Sequence, residues 1–480
     1  MRVPVNVLPL TFTGALAAFM LLPRVQHDPR LLFAFAAASA SLLLWNLLLL
    51  HAARGRTLTL EVVLRKQHYL QACAQGSVLL YWGWYWRQVY DHAYLIVAQL
   101  LFAYAFDMLL AWSRRERYTL GFGPFPVIFS INLFLWFRDD WVFLQFLMVA
   151  LGFAAKELIT WEKNGRRAHI FNPSSFPLAV AAVLLIATGT SDMTWGKQIA
   201  TTQFYPPNMY VFLFVIGLPG QFFFGVTSMT MSAVVATYLG GLAYYAATGV
   251  YFFYDSYIPI AVFLGMHLLF TDPSTSPRTE LGRIIFGAAY GLSTMLLYVV
   301  LGRAGLPTFY DKLLQVPLLN MSIKLIDRLA ETTALRRFTA ARLGASLAPR
   351  QRHLAYISVW FVAFSAIALA NGVGDRHPGQ WLPFWQRACA AERPWACDYL
   401  AQREAELCVQ GSDWACNEYD DPLDAARDGR RTQPTLEDFR LVLRGSKGPL
   451  TGWPPEALYA EACRQGWPGT CGSGTTSQSR

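Results

Sequence analysis

The chain has 480 residues, of which 54% are hydrophobic, 15% aromatic and only 15% charged. Soluble domains carry about a quarter of their residues as charged side chains, so this composition argues against a soluble protein and indicates an integral membrane protein. The net charge of +9 comes from short Lys and Arg clusters between apolar runs. That spacing argues against a nucleic-acid-binding face and is typical of cytoplasmic loops.

Apolar runs of the length that crosses a bilayer recur along the chain. A spanning helix needs roughly 18 to 20 apolar residues, and about twelve runs reach or approach that length. They begin near Val5, Leu31, Gln71, Ala93, Tyr118, Asp140, Ser174, Met209, Thr230, Ile258, Ile284 and Ala355. The sequence therefore predicts an all-α polytopic membrane protein with about 10 to 12 transmembrane helices, some of them re-entrant half-helices.

These runs and the local composition divide the chain into five parts. Residues 1–89 hold the N-terminal membrane spans, and residues 90–302 form the membrane core. Residues 303–354 are basic with apolar positions at helical spacing, which predicts an amphipathic cytoplasmic segment. Residues 355–371 form the last transmembrane helix, which delivers residues 372–480 to the other side of the membrane.

An aromatic run, YWGWYW, occupies residues 81–86. Such a run would suit stacking on an aromatic ligand, but Trp and Tyr are enriched where helices meet the membrane surface. We interpret it as part of an interfacial aromatic belt.

Three ionisable side chains lie within or at the end of apolar runs. Asp107 lies in the run that ends at Arg114 and Arg115, and Lys156 and Glu157 end another. A carboxylate inside a membrane is a candidate proton or cation site. The alternative is that each group lies close enough to the interface to form an ion pair, as Asp107 would with either arginine. Sequence position alone does not separate these two interpretations.

Two polar, proline-broken segments interrupt the apolar core, HIFNPSSFP at residues 169–177 and TDPSTSP at residues 271–277. Polar groups at such depth are costly without partners, and half-helix N-termini with neutral hydroxyls suit a phosphate. The predicted cofactor-binding residues here are Asn172, Ser174, Ser175, Asp272, Ser274, Thr275 and Ser276. The alternative is that Asn172 and Asp272 only cap helices. Because the two segments echo each other, we favour a paired site.

Six of the seven cysteines lie in the C-terminal part, in three Cys-x7-Cys pairs. The pairs are Cys389 with Cys397, Cys408 with Cys416, and Cys463 with Cys471. Zinc ligands usually lie about two to four residues apart, so the pairs favour three local disulfides in an oxidising compartment. The spacing resembles the cysteine-rich Sel1-like repeats of secreted bacterial proteins, which implies disulfide-stapled helices. Cys73 is expected in the core, and we predict no metal site.

A family resemblance rests on four elements, taken in order and spacing. They are Lys156, residues 169–175, residues 271–277 and the GRIIFG segment at residues 282–287. Together they resemble the family of the D subunit of the Rnf electron-transport complex and the B subunit of the sodium-pumping NADH:quinone reductase. The similarity covers roughly residues 90–302, and the chain length and the aromatic run are similar to the stand-alone UnbU-like branch.

The resemblance implies a bundle of about ten helices in two inverted repeats, with FMN held in the membrane. In that family FMN is attached to the threonine of a Ser-Gly-Ala-Thr motif, and the matching stretch here is residues 196–202. Ala200 and Thr201 are retained, whereas Gln198 and Ile199 replace the Ser and Gly. Thr202 is an equal chemical possibility, and both covalent and non-covalent binding of FMN stay open.

The sequence thus predicts a flavin-dependent electron-transfer subunit of the bacterial inner membrane that acts with other redox or membrane subunits. Its periplasmic tail, residues 372–480, is expected to bind a protein partner. The family resemblance also implies coupling to ion movement. One alternative is a transporter or channel in which Asp107 and Glu157 bind the coupling ion. Another is a cofactor-free scaffold whose tail recruits the partner.

Overall fold

The computed structural model describes residues 7–52, 58–115, 117–163, 165–332, 347–371, 376–418, 433–443 and 453–471. Within them the chain is mainly helical. The α-helices are α1 Leu8–Ala18, α2 Pro23–Gln26, α3 Pro29–Ala52, α4 Lys66–Tyr85, α5 Gln88–Asp91, α6 Ala93–Arg114, α7 Pro124–Asn132, α8 Val142–Leu158, α9 Ser175–Thr188, α10 Gly196–Thr202, α11 Met209–Phe224, α12 Thr227–Thr248, α13 Ile260–Leu268, α14 Glu280–Arg303, α15 Gln315–Ala330, α16 Pro349–Asn371, α17 Leu382–Ala390, α18 Ala396–Val409, α19 Asp413–Glu418, α20 Leu436–Val442 and α21 Pro455–Gln465.

Four short strands form two separate two-stranded sheets. The strands are β1 Thr59–Val62, β2 Arg117–Leu120, β3 Thr160–Lys163 and β4 Arg166–His169. β1 and β2 pair in parallel, whereas β3 and β4 form an antiparallel hairpin. Gly165 in the hairpin turn has φ of +66°, a conformation that favours glycine.

Five described helices are long and apolar enough to cross a membrane. They are Pro29–Ala52, Ala93–Arg114, Asp139–Leu158, Glu280–Arg303 and Arg350–Ala370. Shorter apolar helices are Leu8–Leu21, Ser175–Thr188 and Met209–Phe224. The predicted helical character and the several membrane-length apolar helices are therefore confirmed, whereas the four described strands depart from the all-α prediction. The membrane placement, the number of spans and the inverted repeats stay predictions.

The chain forms two compact units. The first comprises residues 1–203, 212–235 and 261–361, and the second comprises residues 204–211, 236–260 and 362–480. Both polar proline-broken segments belong to the first unit. All three predicted cysteine pairs belong to the second.

In the first unit α15 packs against α14 and α9. Its buried face carries polar Gln315 and Asn320 beside Ile323 and Ile326. Its exposed apolar residues are Leu318, Met321, Leu325 and Leu329. The amphipathic pattern expected for residues 303–354 is thus present in α15, with amide side chains turned inward. Residues 333–346 of that predicted segment lie outside the described residues.

In the second unit the three predicted disulfides are confirmed: Cys389 bonds Cys397, Cys408 bonds Cys416, and Cys463 bonds Cys471. The first two link α17 to α18 and α18 to α19, and the third links α21 to the turn that follows it. The large core side chains include Trp385, Leu400, Trp414, Phe439 and Trp467. The prediction for Cys73 in the first unit was wrong, because this free cysteine is exposed on α4.

Candidate functional site

The first polar segment connects a hairpin to a helix. Thr160 pairs with His169 across β3 and β4, so the hairpin returns the chain to the end of α8. The Asn172 side-chain oxygen then accepts hydrogen bonds from the backbone N–H of Ser174 at 3.0 Å and of Ser175 at 3.2 Å, and from the Ser174 hydroxyl at 2.7 Å. Asn172 therefore satisfies backbone groups that the first turn of α9 leaves without helical partners.

The second polar segment joins α13 to α14 through a short 3-10 turn, Pro273–Thr275. Asp272 caps this turn, because its carboxylate accepts from the backbone N–H of Ser274 at 2.9 Å. Arg283, from the retained Gly-Arg element, donates to the carbonyl oxygen of Pro277 at 3.1 Å. This arginine thus fixes the return of the chain into α14.

The two segments meet on α15. Asn172 donates from its side chain to the carbonyl of Leu269 at 2.9 Å. Asn320 of α15 accepts from the backbone N–H of Asn172 at 3.1 Å and donates to the carbonyl of Thr275 at 3.1 Å. We call these four residues, Asn172, Leu269, Thr275 and Asn320, the asparagine junction. The structure therefore brings the two predicted segments together through a third element.

The junction uses the hydrogen-bonding groups that a phosphate would need. Backbone N–H groups at the start of α9 already donate to Asn172, and that of Ser274 donates to Asp272. The Ser276 hydroxyl donates to the Pro273 carbonyl at 3.2 Å. In the described chain the buried Ser175 hydroxyl has no hydrogen-bond partner. This arrangement fits the helix-capping alternative better than a phosphate cradle.

A hydrogen-bond contact ties the hairpin to the second segment, because His169 Nε2 lies 3.1 Å from a carboxylate oxygen of Asp272. Burial alone raises the pKa of Asp272, but the hydrogen bond and electrostatic attraction of His169 and the donors of Ser274 hold that pKa below its usual value. A carboxyl with a lowered folded-state pKa stabilises the fold above its ordinary pKa of 3.8, and this stabilisation is lost as the pH falls through the folded value.

We expect Asp272→Asn to flatten the acid limb of the stability profile, because the amide carries no titrating charge. Thermal unfolding of the purified protein between about pH 3 and about pH 6 measures this. Asp192→Asn, which changes an exposed carboxylate in the loop after α9, is the control. An identical acid limb in wild type and Asp272→Asn would contradict the assignment.

The predicted flavin-attachment stretch forms α10, and its two threonines differ sharply. Thr201 is exposed, and its hydroxyl donates within the helix to the carbonyl of Lys197 at 2.9 Å. The Lys197 side chain is exposed as well, one turn earlier. Thr202 is buried, and its hydroxyl accepts from the indole N–H of Trp82 at 3.1 Å. An attached group therefore has access to Thr201 but not to Thr202.

A tryptophan cluster, made of Trp82, Trp86, Trp136 and Trp195, lies beside α10. Trp86 stacks on Trp136 with ring centroids 5.4 Å apart, and His92 stacks on Trp136 at 4.2 Å. Trp82 is 0% exposed. Part of the aromatic run at residues 81–86 thus forms this inner cluster, which the belt interpretation did not predict.

Two turns of α4 separate the tryptophan cluster from the asparagine junction. Gln75 donates to the carbonyl of Leu268, next to the junction, at 3.2 Å. Trp82, which donates to the Thr202 hydroxyl, lies seven residues after Gln75 on α4, and seven helical residues rise about 10 Å. No hydrogen bond among the described residues joins Thr201 to the junction, so the structure does not gather the predicted cofactor residues into one site.

The three candidate ion-binding residues, Glu157, Asp107 and Lys156, have different partners. Glu157 pairs with Arg115 at 2.5 Å and with Arg114 at 4.0 Å, which agrees with the ion-pair alternative. Asp107 instead hydrogen-bonds to the Tyr118 hydroxyl. Lys156 lies over the ring of Phe153, 5.5 Å from its centroid.

Comparison of the chain with family models, curated proteins and solved structures found no match. Two residues of these sites, Asn320 and Trp136, were not predicted from the sequence. Asn320 is one of two amide residues in an amphipathic helix, a pattern with no signal of its own. Trp136 was missed because it lies in an apolar run far from the YWGWYW run that it packs against.

Proposed function

We propose that this chain is an integral protein of the bacterial inner membrane that transfers electrons through FMN, as the resemblance to the Rnf and sodium-pumping reductase subunits implies. The observation that carries the proposal is the exposed Thr201, one turn from Lys197 and next to the residue that the tryptophan cluster holds. The five membrane-length apolar helices support the membrane placement. The three disulfides support a periplasmic tail that binds a protein partner.

The residues on α10 suit a flavin phosphate better than the asparagine junction does. The Thr201 hydroxyl is the accessible attachment oxygen, and the Lys197 ammonium balances phosphate charge. Aromatic faces of the tryptophan cluster favour a flat ring system nearby. When bound, FMN supplies the electron-carrying chemistry, and the protein supplies position and electrostatics.

Thr201→Ala is expected to abolish covalent flavin, whereas Thr202→Ala is expected to retain it. The reason is that Thr201 is exposed, whereas Thr202 is buried. The protein is expressed with a flavin transferase, and flavin fluorescence is read in a denaturing gel and in the native extract. Thr201→Ser, which keeps the hydroxyl, is the matched control and retains the signal.

Three outcomes separate the hypotheses. Covalent flavin retained in Thr201→Ala but lost in Thr202→Ala overturns the assignment of the attachment residue. Flavin absent from both gel and native extract of the wild type overturns the cofactor proposal. If the wild type holds no flavin, the scaffold alternative is supported by activity that survives the change of both threonines to alanine but is lost on deletion of residues 372–480. The internally hydrogen-bonded junction also favours this alternative.

A further inference from the structure

A small cavity lies between α4, α11 and the end of α13, with room for about one water molecule. Gln71, Gly217, Gly220, His267 and Thr271 are among the residues that line it. None of these residues belongs to α10 or to the asparagine junction. The cavity is therefore separate from the proposed flavin attachment.

His267 presents an unused hydrogen-bond acceptor. Its side chain is 2% exposed, and its Nδ1 lies 2.8 Å from the carbonyl oxygen of Phe263. Because a carbonyl only accepts, Nδ1 carries the proton, and Nε2 of the neutral ring is left as an acceptor. In the described chain Nε2 is buried and has no partner.

Gln221 presents the complementary donor. It is 1% exposed, and neither atom of its amide has a hydrogen-bond partner among the described residues. Gly217 lies between the two side chains: a Cβ there would lie 3.1 Å from His267 Cδ2 and 3.2 Å from Gln221 Nε2. The missing side chain of Gly217 thus leaves an unpaired acceptor and an unpaired donor around the same space.

We propose that a water molecule bound in this cavity donates to Nε2 of His267 and accepts from the Gln221 amide, and that the hydrated histidine is a proton-acceptor site inside the helix bundle. A buried water of this kind satisfies polar groups that no protein atom reaches. The proposal does not depend on flavin binding.

Among the described residues no charged side chain faces His267. Its neighbours are uncharged: Gln71 from α4, Gln221 from α11, Phe263 from its own helix, and Trp360 from α16 with ring centroids 6.1 Å apart. The Thr271 hydroxyl donates to the backbone carbonyl of His267 at 3.2 Å. Stabilisation of an added proton therefore depends on the water and the neutral dipoles around it.

The test is nitrogen-15 solid-state NMR on the full chain in lipid, with labelled histidine. The His267 signal is assigned by its loss in His267→Gln. In wild type, magnetisation is expected to pass from water to Nε2 of His267. Gly217→Ala fills the cavity and is expected to abolish this transfer. Gly14→Ala on α1 is the control, since this glycine does not line the cavity and its new methyl would meet no described atom within 4 Å.

Acidification provides the second readout. The hydrated ring of wild type and Gly14→Ala is expected to become protonated at a higher pH than the dry ring of Gly217→Ala, because loss of solvation disfavours the charged form. Absence of water transfer in wild type, which needs no variant, overturns the bound water. Equal protonation in all three proteins overturns the proton-acceptor role.

Discussion

Asn320→Ala is expected to lower the free energy of unfolding by about 2 to 6 kcal/mol, one of the two largest effects we predict. Asn320 is 1% exposed, and it pairs the backbone N–H of Asn172 and the carbonyl of Thr275. Removal of the amide leaves both backbone groups buried without a partner, and each unpaired group costs about 1 to 3 kcal/mol. Thermal or denaturant unfolding of the purified protein measures the loss.

Ser322→Ala is the matched control on the same helix. The Ser322 hydroxyl donates only to the carbonyl of Leu319 within α15, at 2.8 Å. Its removal is expected to change stability by less than about 0.5 kcal/mol. If Asn320→Ala has an effect as small as this, the junction does not stabilise the first unit, and its hydrogen bonds are dispensable.

The junction shows what the sequence predicts and what it does not. The two proline-broken segments are visible in the sequence because polar residues interrupt apolar runs, and the structure places both on one junction. The third partner, Asn320, is not visible, because an amphipathic pattern identifies two helix faces but not which one packs inward. In α15 the inward face carries the amides, and apolar Leu318 and Leu325 are exposed.

The cysteine pairs were predictable for a local reason. The Cys-x7-Cys spacing lets the last turn of a helix reach the chain just beyond the following turn, as between α17 and α18, where Cys389 and Cys397 have Cα atoms 4.6 Å apart. Prediction of these pairs therefore needs no information about contacts between distant parts of the chain. The tryptophan cluster is the opposite case, since Trp82 and Trp136 come together only through the packing of separate chain segments.

Asp438→Ala is expected to destabilise the second unit by about 3 to 5 kcal/mol. Asp438 is 5% exposed and completes a capping box with Thr435 at the start of α20. It also accepts from the Ser412 hydroxyl at 2.7 Å and from the backbone N–H of Trp414 at 3.3 Å. One carboxylate thus joins α20 to the start of α19, and its loss removes an acceptor that donors from both share.

The same prediction has a pH signature. Burial alone raises the pKa of Asp438, but hydrogen bonds from Thr435, Ser412 and Trp414 hold that pKa below its ordinary value of 3.8. The stabilisation is therefore present above that value and is lost as the pH falls through the folded pKa. Unfolding curves of Asp438→Ala should show both a lower midpoint at neutral pH and a smaller further loss on acidification.

Glu437→Ala is the control for Asp438→Ala. The Glu437 side chain is 85% exposed and lies 3.7 Å from Arg440 one turn on, a surface pair that contributes about 0 to 1 kcal/mol. Loss of helix charge alone would affect both variants alike, whereas loss of the bridge between α19 and α20 affects only Asp438→Ala. Equal destabilisation of the two variants would show that the carboxylate acts through general electrostatics and not through its hydrogen bonds.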